Sequence, residues 1–135
     1  MDLKLSHTFI HVHDQDAALA FYRDVLGLEV RTDATMEHMR WLTVGPRSQP
    51  DIEINLFKVG PPTPEPDHEV LLSLLAKGSL NGVIFVTDDV DKTFEEIRAS
   101  GAEVQQEPIT QGYGVRDCAF RDPSGNSVRF SQILS

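Results

Sequence analysis

The chain has 135 residues, a formal net charge of −9 and a sequence pI near 4.8. Phosphate contacts need a basic footprint, so this balance excludes nucleic acid as a partner and disfavours anionic membrane surfaces. Cys118 is the sole cysteine, which excludes an internal disulfide and a thiolate metal cluster, and no apolar run approaches the ~20 residues of a membrane span. The opening "MDLKLSHTFIHVHD" lacks the basic and apolar regions of a signal peptide, so the expected location is cytoplasmic.

In chain order, "HTFIHVH" alternates as a strand. His7, Phe9, His11 and His13 share one face, and Ile10 and Val12 lie on the other. The stretch "DQDAALAFYRDVLG" predicts a helix capped by Asp14 or Asp16 and stopped by Gly27, with Ala18, Phe21, Tyr22 and Val25 as its buried stripe. "LEVRTDA", "MRWLTV" and "DIEINLFKV" read as strands. In the last, Ile52, Ile54 and Leu56 share one face and Glu53, Asn55 and Phe57 the other. Four prolines in "GPPTPEPD" form a linker, followed by a short amphipathic helix "HEVLLSLLAKG". Then "GVIFVT" predicts a strand and "DDVDKTFEEIRASG" a helix with Val90, Phe94 and Ile97 inward. "AEVQQEP", "VRDCAFRD" and "NSVRFSQ" predict three more strands.

The pattern repeats. "VHDQDAALAFYRDVLGLEV" parallels "VTDDVDKTFEEIRASGAEV", each a strand end, an acidic cap, a helix, a glycine and then x-Glu-Val. Module one covers about residues 1–59, the proline-rich linker and short helix about 60–79, and module two about 80–135. Together they predict an α+β chain of two β-α-β-β-β units.

The segments "HTFIHVHDQDAALAFYRDVLGLEV", "TDDVDKTFEEIRASGAEV" and "FRDPSGNSVRF" span nearly the whole chain. On them the chain resembles the vicinal oxygen chelate superfamily: glyoxalases (lactoylglutathione lyases), bleomycin-resistance proteins and extradiol dioxygenases. The resemblance implies two modules whose sheets pair into a cupped, incomplete barrel with helices outside and the site on the concave face. In the superfamily's metal enzymes a His on the first strand and a Glu on the last strand of each module hold a divalent ion. These positions match His7 and Glu53 in module one. In module two they match Gly82, or Asn81 with a one-residue slip, and Arg129. Half the ligand set is replaced, so no metal cofactor is expected; a divalent ion at His7 and Glu53 is the lesser alternative.

Alternation also predicts the pocket lining: His7, Phe9, His11, Trp41, Glu53, Asn55, Tyr113 and Arg129. Arg129 faces away from Val128 and Phe130. It is expected to pair with Glu53, converging with His7 where a metal would lie, and to attract an anionic or carbonyl oxygen. His7 and His11 do not form one metal site, because positions i and i+4 of a strand are about 13 Å apart. His13 reads as a solvated strand end, Arg116 and Asp117 as surface charges, and Cys118 as an inert buried thiol. Tyr113, between Gly112 and Gly114, could close over a bound molecule.

Three functions compete. The first is a metal-independent binder of a small organic molecule, as in the drug-sequestering resistance proteins. The second is a metal-dependent lyase or dioxygenase with non-standard ligands, and the third a metal-independent acid/base enzyme using His7 or His11. The missing ligands favour the first and third. The resemblance, and the sheet edges left by an open cup, predict a homodimer.

Overall fold

A computed structural model describes residues 1–134; Ser135, at the end of the expected second module, lies outside them. Strands β1 (His7–Val12), β2 (Glu29–Met36), β3 (Met39–Gly45) and β4 (Glu53–Lys58) form one sheet, and β5 (Val83–Val86), β6 (Glu103–Thr110), β7 (Val115–Arg121) and β8 (Ser127–Ile133) a second. Their orders are β1-β4-β3-β2 and β5-β8-β7-β6. In each sheet the first and last strands of the module pair in parallel and the rest antiparallel. The repeat read from the sequence is therefore a repeat of topology. The sheets do not close into a barrel.

The helices follow their caps. Asp14 Oδ1 accepts from the backbone N–H groups of Asp16 and Ala17 to open α1 (Gln15–Leu19), and Asp89 accepts from Lys92 to open α3 (Val90–Ala99). The first helix does not stay α-helical as expected: Ala20–Val25 continue it with a π-helical turn before Gly27 at φ 77° ends it. Helix α2 (His68–Ala76) follows the proline linker. Only Leu75 of it is buried; Val70 and Leu72 stay exposed.

Strand β6 runs past the expected stop at Pro108. It is an edge strand, and its pairing with β7 shifts between Gln106 and Ile109, which leaves the proline without a ladder bond to break.

One core joins both modules. Ile10, Val12, Leu42, Val44, Ile54 and Leu56 of the first sheet and Cys118, Phe120, Val128 and Phe130 of the second pack with the inward stripes of α1 and α3. Of these, Ile10, Val12, Ile54, Val128 and Phe130 lie on the faces that alternation assigned to the helix side, while Ile52, assigned with them, is only half-buried. The "DPSGN" turn adds a polar bolt between the modules. Asp122 Oδ1 accepts from the backbone N–H groups of Ser124, Gly125 and Asn126, while its Oδ2 accepts from the Tyr22 hydroxyl at 2.7 Å. Asn126 donates to the carbonyl of His11. His13, expected to be merely solvated, is tied to Ser124: its backbone N–H donates to the Ser124 hydroxyl, and its Nδ1 lies 2.8 Å from the same oxygen. Among the described residues no helix is long and apolar enough to cross a membrane.

Candidate functional site

The ladders place the predicted lining residues with precision. In the first sheet His7 stands opposite Glu53, Phe9 opposite Asn55 and His11 opposite Phe57, while Thr43 flanks Asn55 from β3. Side chains at alternate positions share a face, so these residues, with Trp41, line the side away from the helices.

At one end of this face the Glu53 carboxylate is held on both oxygens. Thr43 Oγ1 donates to Oε1 at 2.6 Å, and His7 Nε2 lies 3.3 Å from Oε2. His7 Nδ1 lies 2.9 Å from the Ser6 hydroxyl. An Nε2–H given to Glu53 leaves Nδ1 as an acceptor for Ser6, so both ring nitrogens are occupied.

The middle of the face is aromatic. Phe9 meets Trp41 edge-on with ring centroids 6.1 Å apart and Phe57 at 5.7 Å; His11 packs edge-on against Phe57. Phe9 nonetheless remains 52% exposed. Such a surface suits a flat, conjugated body, which gains both apolar burial and edge or face contacts with the rings.

Arg129 lies on the other sheet with different partners. The expected Arg129–Glu53 pair does not form. Arg129 instead approaches Asp117 Oδ1 at 3.3 Å and donates to Gln106 Oε1 at 3.0 Å. Among the described residues no ion pair or hydrogen bond joins the His7–Glu53 group to the Arg129 group, because each is satisfied by neighbours in its own sheet.

Asp117, read from sequence as a surface charge, is 1% exposed. Burial disfavours its carboxylate, but hydrogen bonds from Gln111 and Gln106 and the charge of Arg129 outweigh that and hold its pKa below the usual range. The alternation of "VRDCAF" carried a signal for it: with Cys118 and Phe120 on the core side, Asp117 must share the lining face with Ala119. Arg116 behaves as expected, paired with Asp91 at the surface. Tyr113 stands largely exposed between β6 and β7.

The residues present do not fit the superfamily's metal site. Module one offers only His7 and Glu53, already engaged with each other. Module two offers Gly82, which has no side chain, and the cation Arg129, which repels a divalent ion. Among the described residues no three His, Cys, Asp or Glu side chains are grouped to hold one.

Two cavities lie near these elements. One of about 380 Å³ has Ile84, Ser127 and Arg129 on its wall. Another of about 510 Å³ lies between α2 and the "DPSGN" turn; on its wall His13 is tied to Ser124, Arg121 to Glu103 and the Gly125 carbonyl, and Asp122 to Tyr22.

Comparison with known proteins agrees with this architecture. The family model described as Glyoxalase/Bleomycin resistance protein/Dioxygenase superfamily matches residues 4–130. The crystal structure of UcmS2 is similar at 40% identity and a TM-score of 0.90, covering 97% of this chain and 98% of that one. TnmS3, described as an antibiotic binding protein from Streptomyces sp. CB03234, is similar at 29% identity and a TM-score of 0.76, covering 98% and 97%. Lactoylglutathione lyase of Haemophilus influenzae is 30% identical over 141 residues, 98% of this chain and 95% of that protein.

Proposed function

We infer that this chain, which belongs to the glyoxalase/bleomycin resistance protein/dioxygenase superfamily, binds a small organic molecule without the divalent metal of the superfamily's enzymes. The observation that carries the reading is that the charged side chains here already engage protein partners: Glu53 is held by His7 and Thr43, and Arg129 by Asp117. The aromatic surface of Phe9, Trp41 and Phe57 supplies the binding energy for a flat ligand. Similarity to an antibiotic binding protein supports the same class of function.

A second copy of the chain completes the site. Ile84 and Val86 share the Arg129 face of the second sheet, and each is 68% exposed; Phe9 is half exposed on the first. Covering three such side chains contributes up to about 1.5–3 kcal/mol each. A homodimer that laid the lining face of one chain's first module against that of the partner's second would cover them and bring His7, Glu53 and Arg129 together around one ligand. Arg129 would then meet an anionic or carbonyl oxygen of the ligand.

The test combines three measurements on purified protein: metal content, mass by light scattering, and calorimetric screening of aromatic compounds that bear carbonyl or carboxylate oxygens. Expected are no stoichiometric divalent metal, a mass twice that of the 15.1 kDa chain, and saturable binding that weakens in Arg129→Gln. One Zn, Ni, Mn or Fe held per chain through His7 and Glu53 would overturn the metal-free reading. Unchanged affinity with lowered stability in Arg129→Gln would make that residue purely structural.

The contact of His7 with Glu53 favours a second reading, a metal-independent enzyme with His7 as acid/base. It predicts turnover that His7→Gln abolishes while binding persists.

A further inference from the structure

Asn55 is fully buried, and neither its side-chain nitrogen nor its side-chain oxygen has a hydrogen-bond partner among the described residues. Its place explains this. Strand β4 lies between β1 and β3, and Asn55 has Phe9 opposite it on one side and Thr43 on the other. Phe9 and Trp41 belong to those two flanking strands, yet their ring centroids are only 6.1 Å apart. The rings therefore meet above β4 and roof the amide. The hydroxyl of Thr43, its neighbour on β3, is already given to Glu53. A buried amide with both ends idle is costly and uncommon, and folding alone offers no return for it. Its donor and acceptor lie side by side under a roof one of whose rings, Phe9, is half exposed.

We propose that Asn55 reads the ligand: with Phe9 displaced, its amide pairs with a group presenting a carbonyl oxygen beside an N–H, a carboxamide or lactam edge, on a flat aromatic body. This rests on the reading of the aromatic face as the binding site. The pairing is reciprocal, since the Asn55 N–H donates to the ligand carbonyl and its oxygen accepts from the ligand N–H. A ligand with the carbonyl alone would leave the Asn55 oxygen idle, so the site discriminates against it.

The probes are naphthalene-carboxamide and its methyl-ketone counterpart acetylnaphthalene, which share ring and shape but differ in the N–H donor. Affinity is read by calorimetry, and occupancy of this face by the emission of Trp41, the sole tryptophan. The wild-type chain is expected to bind the carboxamide about tenfold more tightly. In Asn55→Leu, close in shape but apolar, the two probes should bind alike. That variant without ligand should melt about 2–6 °C higher, because the idle polar group is gone.

Equal affinities of the two probes for wild type would overturn the proposal while leaving the aromatic site standing. So would an Asn55→Leu variant that melts lower, since the amide would then have a structural partner. If neither probe binds or perturbs Trp41, the binding-site reading fails and the proposal with it.

Discussion

Gly82 lies directly against the backbone of Ser127: a side chain on it would collide with the Ser127 carbonyl oxygen. The position that matches the superfamily's second histidine is thus closed to any side chain unless β5 and β8 part. Ser127, not Arg129, lies beside Gly82, and Arg129 stands opposite Ile84. By ladder position Arg129 is the counterpart of Asn55 in module one, each two residues into the last strand and opposite an apolar residue of the first.

Gly82→Ala should therefore destabilise the chain by about 3 kcal/mol, through collision with the Ser127 main chain. Chemical denaturation measures it. Gly82→His with Arg129→Glu should lose stability without gaining metal affinity; a tight metal site in that variant would show that β5 shifts freely.

Tyr22→Phe removes the hydroxyl that donates to the buried Asp122 carboxylate. The expected loss is about 2 kcal/mol, as for a hydrogen bond to a charged group. Because this bond ties the first helix to the module-two turn, exchange of the backbone hydrogens of Ser124 and Asn126 should quicken as well. Exchange confined to the first module would count against the bolt.

Asp117 gives the stability a pH dependence. Its folded-state pKa lies below its unfolded value, so its contribution is full above the unfolded pKa of about 3.9 and fades as pH falls through the folded one. Asp117→Asn should be less stable than wild type at neutral pH, where it leaves Arg129 without its partner, and the gap should narrow below about pH 4. Melting curves across that range decide it; a constant gap would mean the carboxylate acts through packing alone.

Cys118 is fully buried on the core side of β7, and burial, reinforced by the neighbouring Asp117 charge, pushes its thiol up to about 11. A water-soluble disulfide reagent should leave it unmodified in native protein and label one thiol per chain after denaturation. Rapid labelling of folded protein would place the core open at β7.

The sequence by itself determined the order of elements in the two modules and the inward faces of β1, β3, β4 and β8. Alternation places Ile54 and Phe130 in the core, and the acidic caps and stop glycines at the helix ends follow from local backbone chemistry, with no need of distant contacts. It also brought His7, Phe9, Trp41, Glu53 and Asn55 to one face, because a period of two is a property of each strand alone.

Which of those side chains touch was decided only by the tertiary structure. Opposite charges on two strands suggest the pair Arg129 with Glu53, yet each charge is satisfied by whichever partner its own sheet register brings within reach: Asp117 for one, His7 for the other. The closure of Gly82 against Ser127 and the idle amide of Asn55 beneath Phe9 and Trp41 share that origin. Register between strands, and the roofing of one strand by side chains from its two neighbours, depend on contacts between residues dozens of positions apart, where no local pattern records them.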